Sequence, residues 1–148
     1  MPALTAAGAG FLCAVLWFDL MFDIQARGRG QPSEAALASI AAYYRRVTID
    51  AAPMGRLISG VMLLTLASIV AEIARGGGWA AWLSLAATLA ATGLAVTRTV
   101  PTAQRLGRAE DPVELRGQLA RRLLRDHLAF LAALLLVLGL QLAPVRAG

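Results

Sequence analysis

The sequence predicts an all-α, polytopic membrane protein: a four-helix transmembrane bundle with an amphipathic interfacial helix between the first and second spans. Three observations predict it. The chain of 148 residues is 58% hydrophobic, has a mean hydropathy of +0.64 and is only 16% charged, which is too apolar for an ordinary soluble domain of this length. Its apolar residues gather into four long runs, three of them near the ~20 residues a helix needs to cross a bilayer. Its arginines gather in the connectors after the first and third runs.

The whole chain, 1–148, reads as one transmembrane domain. The first span, 3–22, is long enough at about 1.5 Å per residue to cross roughly 30 Å of hydrocarbon. No basic stretch precedes it and no small-residue cleavage site follows it, so it reads as a retained span and not a signal peptide. Gly8 and Gly10 near its outer end permit close helix contact. Arg27-Gly28-Arg29-Gly30-Gln31-Pro32 is a flexible basic connector. Ser33 then suits an N-cap, with Glu34 in the positive first turn. Over 33–51, Leu37, Ile40, Tyr44, Val47 and Ala51 recur at helical spacing as one apolar stripe, with Glu34, Arg45 and Arg46 away from its centre. Such a helix rests in the membrane interface or covers the inner mouth of the bundle. Pro53 marks the break that follows.

The second span is 54–74, with Arg56 at its entrance and Glu72 near its exit. Arg75-Gly76-Gly77-Gly78 is a tight turn, so the second and third spans form an antiparallel hairpin. Trp79 and Trp82 open the third span, 79–97, at the depth where indole rings anchor among headgroups. Its Ala/Thr-rich remainder suits close packing. Arg98 to Pro101 closes it, and 103–118 reads as a polar loop in which Asp111-Pro112 resembles a helix start, from which a short helix can run into the fourth span through Arg121, Arg122, Arg125, Asp126 and His127. The last apolar run, 127–143, is short. It spans if the helix tilts, or if Asp126 and His127 are drawn into the bundle.

Orientation follows from the arginines. Of fourteen basic residues, all arginine, twelve lie in or beside the first and third connectors, and only Arg75 and Arg146 lie on the opposite side. The positive-inside rule then puts both termini in the periplasm and both long loops in the cytoplasm of a bacterial inner membrane. The net charge of +5 and pI near 11 do not indicate nucleic acid, because the arginines flank apolar spans and are explained by topology and anionic lipid. Cys13 is the only cysteine, which excludes an intrachain disulfide.

The chemistry gathers at the inner face. Asp19 and Asp23 end the first span one helical turn apart on a shared face. Arg56 begins the second span, Arg98 ends the third, and Asp126 and His127 begin the fourth. An unpartnered charge at this depth is costly, so Asp19 needs a partner, a proton or a metal. One reading is a structural ion-pair network, Asp19 with Arg98 or Arg56 and Asp126 with a nearby arginine. The other is a pocket open to the inner leaflet. Asp19, Asp23, Arg98 and His127 are its candidate catalytic set: Asp19 or His127 exchanges a proton while an arginine stabilises an anionic oxygen. Trp17, which can stack on an aromatic ligand, with Tyr44, Arg45 and Arg56, forms the candidate set around a bound molecule. The sequence names no cofactor. A metal has little support, because the chain has a single histidine and neither Glu-x-x-His nor His-x-x-x-His spacing. Gly76-Gly77-Gly78 is a turn and not a phosphate loop, since no strand precedes it and no Lys-Ser/Thr follows.

Two stretches carry a family resemblance: Thr97-Arg98-Thr99-Val100-Pro101 at the end of the third span, and the Arg-rich approach from Arg121 to His127. With four spans in a small chain, they resemble the small four-helix bacterial membrane proteins of the anthrone-oxygenase-like family of unknown function. That family usually carries Asn-Val-Pro and a second Asn, where this chain has Thr99 before Val100-Pro101 and Thr102-Ala103 after. Its first span usually continues into a proline-ended segment, where this chain has Asp19 and Asp23. The resemblance implies a cofactor-poor oxidation of a hydrophobic substrate.

Three function classes remain. The first is an oxidoreductase-like membrane enzyme acting on a lipid-soluble substrate at the cytoplasmic leaflet. The second is a non-catalytic accessory or assembly subunit of a larger membrane complex. The third, a small proton-coupled exporter, fits least, because both aspartates sit toward one end of the span. An enzyme predicts a cavity beneath 33–51 with Asp19 facing it, whereas a subunit predicts a polar cluster neutralised from within. The expected partners are membrane lipid, a lipid-soluble small molecule, and a membrane protein or second copy of the chain; nucleic acid is not among them.

Overall fold

The computed structural model describes residues 2–143, and every regular element in them is helical. Arg146, counted above with the outer arginines, lies outside the described residues. The helices are α1 (Pro2–Asp23), α2 (Glu34–Arg45), α3 (Ala52–Ala74), α4 (Trp79–Leu94), α5 (Val100–Arg108) and α6 (Val113–Leu142). Four stretches are long and apolar enough to cross a membrane: Pro2–Ala26, Pro53–Ala74, Trp79–Arg108 and Val113–Leu142. The protein is a multi-pass membrane protein built as a four-helix bundle.

Spans consecutive in the chain are neighbours in space. α1 packs on α3 and α6, and α4 packs on α3 and α6, closing the ring. The turn between α3 and α4 is fixed by a Schellman motif. Gly77 N–H bonds back to Glu72 O at 3.0 Å, and Gly76 N–H to Ile73 O at 3.0 Å. Gly76 sits at φ +86°, a left-handed conformation that glycine adopts without a Cβ clash.

Two helices run further than their apolar patterns suggest. The third does not end at Thr97: α4 passes through a π turn, Ala95–Thr99, into α5. Proline explains the turn. Pro101 has no N–H for the carbonyl four residues back, and its ring crowds that carbonyl. The chain responds by widening one turn, with Val100 N–H reaching Ala95 O. α6 likewise starts at Val113, directly after Pro112, and runs unbroken to Leu142. The polar stretch 103–118 is therefore mostly helix, with a short link at 109–112 closed by Ala109 at φ 57°.

The extensions of α5 and α6 give α2 something to pack on. Ser33 caps α2 as expected, accepting Ala36 N–H at 3.2 Å. Its stripe residues Leu37, Ile40 and Tyr44 are buried, and Val47 packs partly against them. The surface they cover comes from Ala103 and Leu106 on α5 and Leu119, Ala120 and Leu123 on α6. α2 thus covers the mouth of the bundle. A second core fills the spans, around Leu12, Leu16, Met62, Ala91, Phe130 and Leu134. The polar side chains lie between the two.

The α2–α5 contact is close because Gly107 has no side chain. A Cβ there would come within 2.7 Å of Arg45 N and 3.0 Å of Arg45 Cα, backbone atoms that cannot rotate away. Gly107→Ala is expected to destabilise the protein by about 1–3 kcal/mol, the usual range for overpacking. Thermal unfolding in mild detergent checks this. An unchanged midpoint would mean that α2 is not seated on α5.

Candidate functional site

Asp19 and Asp23 descend the same face of α1, four residues apart, and point toward α2 and α6. Asp23 is completely buried, while the Asp19 side chain keeps 15% of its surface. A buried carboxylate must be hydrogen-bonded or neutralised, and α2 supplies the donors in register. Tyr43 Oη donates to Asp19 Oδ1 at 2.7 Å, and Tyr44 Oη donates to Asp23 Oδ1 at 2.7 Å. Adjacent residues on α2 thus serve acids one turn apart on α1. Tyr43 is further held by stacking on Phe22, with ring centroids 4.1 Å apart and planes within 9°. It meets Tyr44 edge-on at 5.1 Å.

His127 reaches in from α6. Its Nδ1 donates to Asp23 Oδ2 at 2.6 Å, with Tyr44 Oη a further 3.5 Å contact. Its Nε2 faces Asp19 Oδ2 at 4.0 Å, a Coulombic contact too long for a hydrogen bond. One imidazole therefore lies between two carboxylates. With the ring protonated and both acids ionised, the set carries one net negative charge, and one further proton would neutralise it.

The two tyrosines remain protonated donors. Burial, more than any other cause, pushes both hydroxyls far above their ordinary range. The neighbouring carboxylates push them further, Asp19 first for Tyr43 and Asp23 first for Tyr44. On the outer side of α5, two hydrogen bonds from Arg105, each 2.7 Å, hold the Asp111 carboxyl below its usual range.

Arg98 goes elsewhere. It forms a two-pronged pair with Asp126, Nε to Oδ2 at 2.7 Å and Nη2 to Oδ1. Asp126 is buried, while the Arg98 side chain is 42% exposed. Asp126 and His127 are consecutive on α6, so their side chains leave the helix about 100° apart, one toward α4–α5 and the other toward α1 and α2. Asp19 has no arginine partner among the described residues; Tyr43 and His127 take that place.

Of the candidate catalytic residues, Asp19, Asp23 and His127 come together, and Arg98 stands on the far side of α6. Of the residues expected around a bound molecule, Tyr44 is inside the cluster. Trp17, Arg45 and Arg56 are exposed, and Arg45 lies 3.9 Å from Asp50. Sequence reasoning missed Tyr43 as the donor to Asp19; it paired Asp126 with a nearby arginine, and that arginine is Arg98, which it had assigned to Asp19. Tyr43 precedes the stripe residue Tyr44, and that adjacency was the available signal.

No family model, curated protein or solved structure matches the chain.

The chemistry must therefore be read from the geometry alone. Among the described residues, no three His, Cys, Asp or Glu side chains converge on a point where a metal could sit. The imidazole and carboxylates face each other. Two surface grooves lie along α5 and α6, lined chiefly by Arg105, Arg108 and Asp111 in one case and by Arg98, Arg122 and Arg125 in the other. Neither is lined by Asp19, Asp23 or His127.

The chain contains only two tyrosines, so tyrosinate absorbance reads this site directly. Both should stay protonated in the folded protein well above pH 10.0, the ordinary value. Raised folded values mean the unfolded chain loses these protons first. Stability is then intact below about pH 10 and falls as pH rises beyond it. Tyrosinate absorbance appearing near pH 10 without loss of helix would refute the arrangement. Tyr44→Phe, which strips a donor from the fully buried Asp23, should cost about 1–3 kcal/mol of stability. Tyr43→Phe should cost less, because Asp19 reaches solvent. The order of the two melting temperatures in detergent decides it.

Proposed function

We propose that this protein is a non-catalytic accessory or assembly subunit of the bacterial inner membrane. Its arginine-rich end faces the cytoplasm, and α2 is latched over that end of the bundle. One observation carries the reading. Asp19 and Asp23 take their hydrogen bonds from the chain itself, His127 donating to Asp23, and the hydroxyls of Tyr43 and Tyr44 occupy the positions a substrate's polar atoms would need. A site filled by its own fold is a latch. The orientation rests on twelve arginines at one end of the chain's spans against two at the other, and the lysine-free, Ala/Arg-rich composition suits a bacterial origin. A partner subunit would bind the docked α2–α5–α6 end or the apolar flanks of the bundle.

A second reading has a specific observation in its favour. The gap between His127 Nε2 and Asp19 Oδ2 is 4.0 Å, and Asp19 is the more accessible acid, covered by the part-buried Tyr43. Displacing Tyr43 would expose a carboxylate and an imidazole nitrogen whose opposite nitrogen is held by Asp23. An oriented histidine of this kind is the usual form of a general base. In that reading a lipid-soluble substrate enters between α1 and α2. The resemblance drawn on Thr97–Pro101 and Arg121–His127, two stretches that meet through the Arg98–Asp126 pair, would make the reaction an oxidation.

Stability separates the two. Groups held for structure destabilise when removed, whereas groups held for chemistry often leave stability unchanged or raise it. Asp19→Asn and His127→Gln are each expected to lower the melting temperature in mild detergent, by an amount corresponding to about 1–3 kcal/mol. An Asp19→Asn protein that melts at or above the parent temperature would overturn the latch and favour the enzyme.

A further inference from the structure

The arginines of α6 do something the latch does not use. Arg122 and Arg125 lie one turn apart on an exposed face, and with Arg98, Asp126 and Ala129 they line a groove of about 420 Å³. Three guanidinium groups meet one carboxylate there, and both oxygens of that carboxylate are taken by Arg98. Among the described residues, Arg122 and Arg125 have no acceptor in the chain. The groove therefore holds two unspent positive charges.

Its depth is informative. From Arg122 to Leu142 is 21 residues of unbroken helix, on the order of 30 Å, the thickness of the hydrocarbon layer. With the far end of α6 at one boundary, Arg122 and Arg125 fall at the other, among the headgroups. Further along the same face of α6 the surface turns apolar: Ala129, Ala132 and Leu136 follow Arg122 and Arg125 at helical spacing and are exposed. A guanidinium pair below an apolar helix face matches a phosphodiester below its acyl chains, and the planar fork suits phosphate oxygens.

We infer that the Arg98–Arg122–Arg125 groove binds the phosphate of an anionic glycerophospholipid, one molecule per chain, with its acyl chains along Ala129, Ala132 and Leu136. Arg122 and Arg125 contact the phosphate, and Asp126 positions Arg98 beside it. The inference is independent of the accessory-subunit reading and requires only that the bundle sits in a bilayer.

Native mass spectrometry of delipidated protein in detergent, titrated with defined lipids, tests it. Phosphatidylglycerol should saturate one site, and phosphatidylcholine should bind that site far more weakly. Arg122→Gln/Arg125→Gln should weaken phosphatidylglycerol about 25-fold, about fivefold per arginine. Both residues are exposed, so the fold should persist, with an unchanged melting curve as the check. Arg122→Lys/Arg125→Lys, which keeps the charge without the fork, should fall between. Arg27→Gln/Arg29→Gln, which removes the same charge from an exposed connector, should leave binding within twofold. Equal affinity for phosphatidylcholine, or equal loss in the connector variant, would overturn the site. Glycerol 3-phosphate binding as tightly as the lipid would make it a soluble-phosphate site. A glutamate-rich peptide binding more tightly than the lipid would make it a protein-docking face. Either outcome also overturns the inference.

Discussion

Asp23 is the constraint the rest of the structure answers to. Its carboxylate has no exposed surface, yet it lies on a helix whose outer face carries Trp17, Phe18 and Met21, all exposed and apolar. At such a depth a carboxylate survives only with donors brought to it. Two come from different parts of the chain: the Tyr44 hydroxyl, 21 residues on, and the His127 ring, 104 residues on. α2 cannot drift on the membrane surface while Tyr44 holds Asp23. The connector before α2 is tied down as well, with Gln31 donating to Val113 O at 2.7 Å and Arg121 to Gly30 O at 3.1 Å. One buried charge thus fixes where α2 lies, and with it the approach to α6.

The second buried acid extends the same logic around the bundle. Because Asp126 and His127 are consecutive, α6 directs one polar side chain to α1 and α2 and the other to the α4–α5 junction. That junction is where Pro101 forces the helix to widen, and Thr99 Oγ1 reaches back to Leu94 O at 3.3 Å inside the widened turn. Arg98 sits within the same turn. A proline that interrupts hydrogen bonding thus lies where the guanidinium must reach a buried partner. Breaking this pair from the arginine side would strand Asp126, which is costlier than losing the pair as a whole.

The fold class was legible because its signals are long and redundant: apolar runs, punctuating glycines and prolines, and arginines confined to two connectors. The stripe over 33–51 was legible for the same reason, down to Leu37, Ile40 and Tyr44. What periodicity could not supply was where a polar helix stops. Residues 103–118 look like a loop because they are charged, yet Ala103 and Leu106 are buried in the core beneath α2 and Val113 and Leu115 pack partly against it, a pattern visible only once α5 and α6 are known to face α2. Asp19, Asp23 and His127 could be picked out as costly intramembrane charges that must be partnered. Which partner each takes depends on helix rotation, and rotation is set by packing. Charge alone favoured arginine for Asp19, whereas the structure gives it tyrosine and histidine, leaving Arg98 to an aspartate whose neighbour in sequence is that histidine.

The division into two cores follows from what drives helices together in each medium. Within lipid, burying Leu12, Leu16 and Leu134 against each other gains little over burying them in acyl chains. Association there rests on close packing and on polar contacts such as Thr5 with Ser68 at 2.7 Å. Beyond the lipid boundary, water makes apolar contact favourable in its own right, at about 25 cal/mol per Å². The core of Leu37, Ile40, Leu106 and Leu123 therefore draws on a driving force the spans lack. The longer α5 and α6 extend past the hydrocarbon, the more of that force holds the bundle. The polar cluster lies at the seam, where neither medium supplies its hydrogen bonds, and its members come from α2 on one side and from α1 and α6 on the other. A helix that belongs to the water-facing core, α2, is fastened by two phenols to a helix that belongs to the membrane, α1, and the two cores are coupled through that contact.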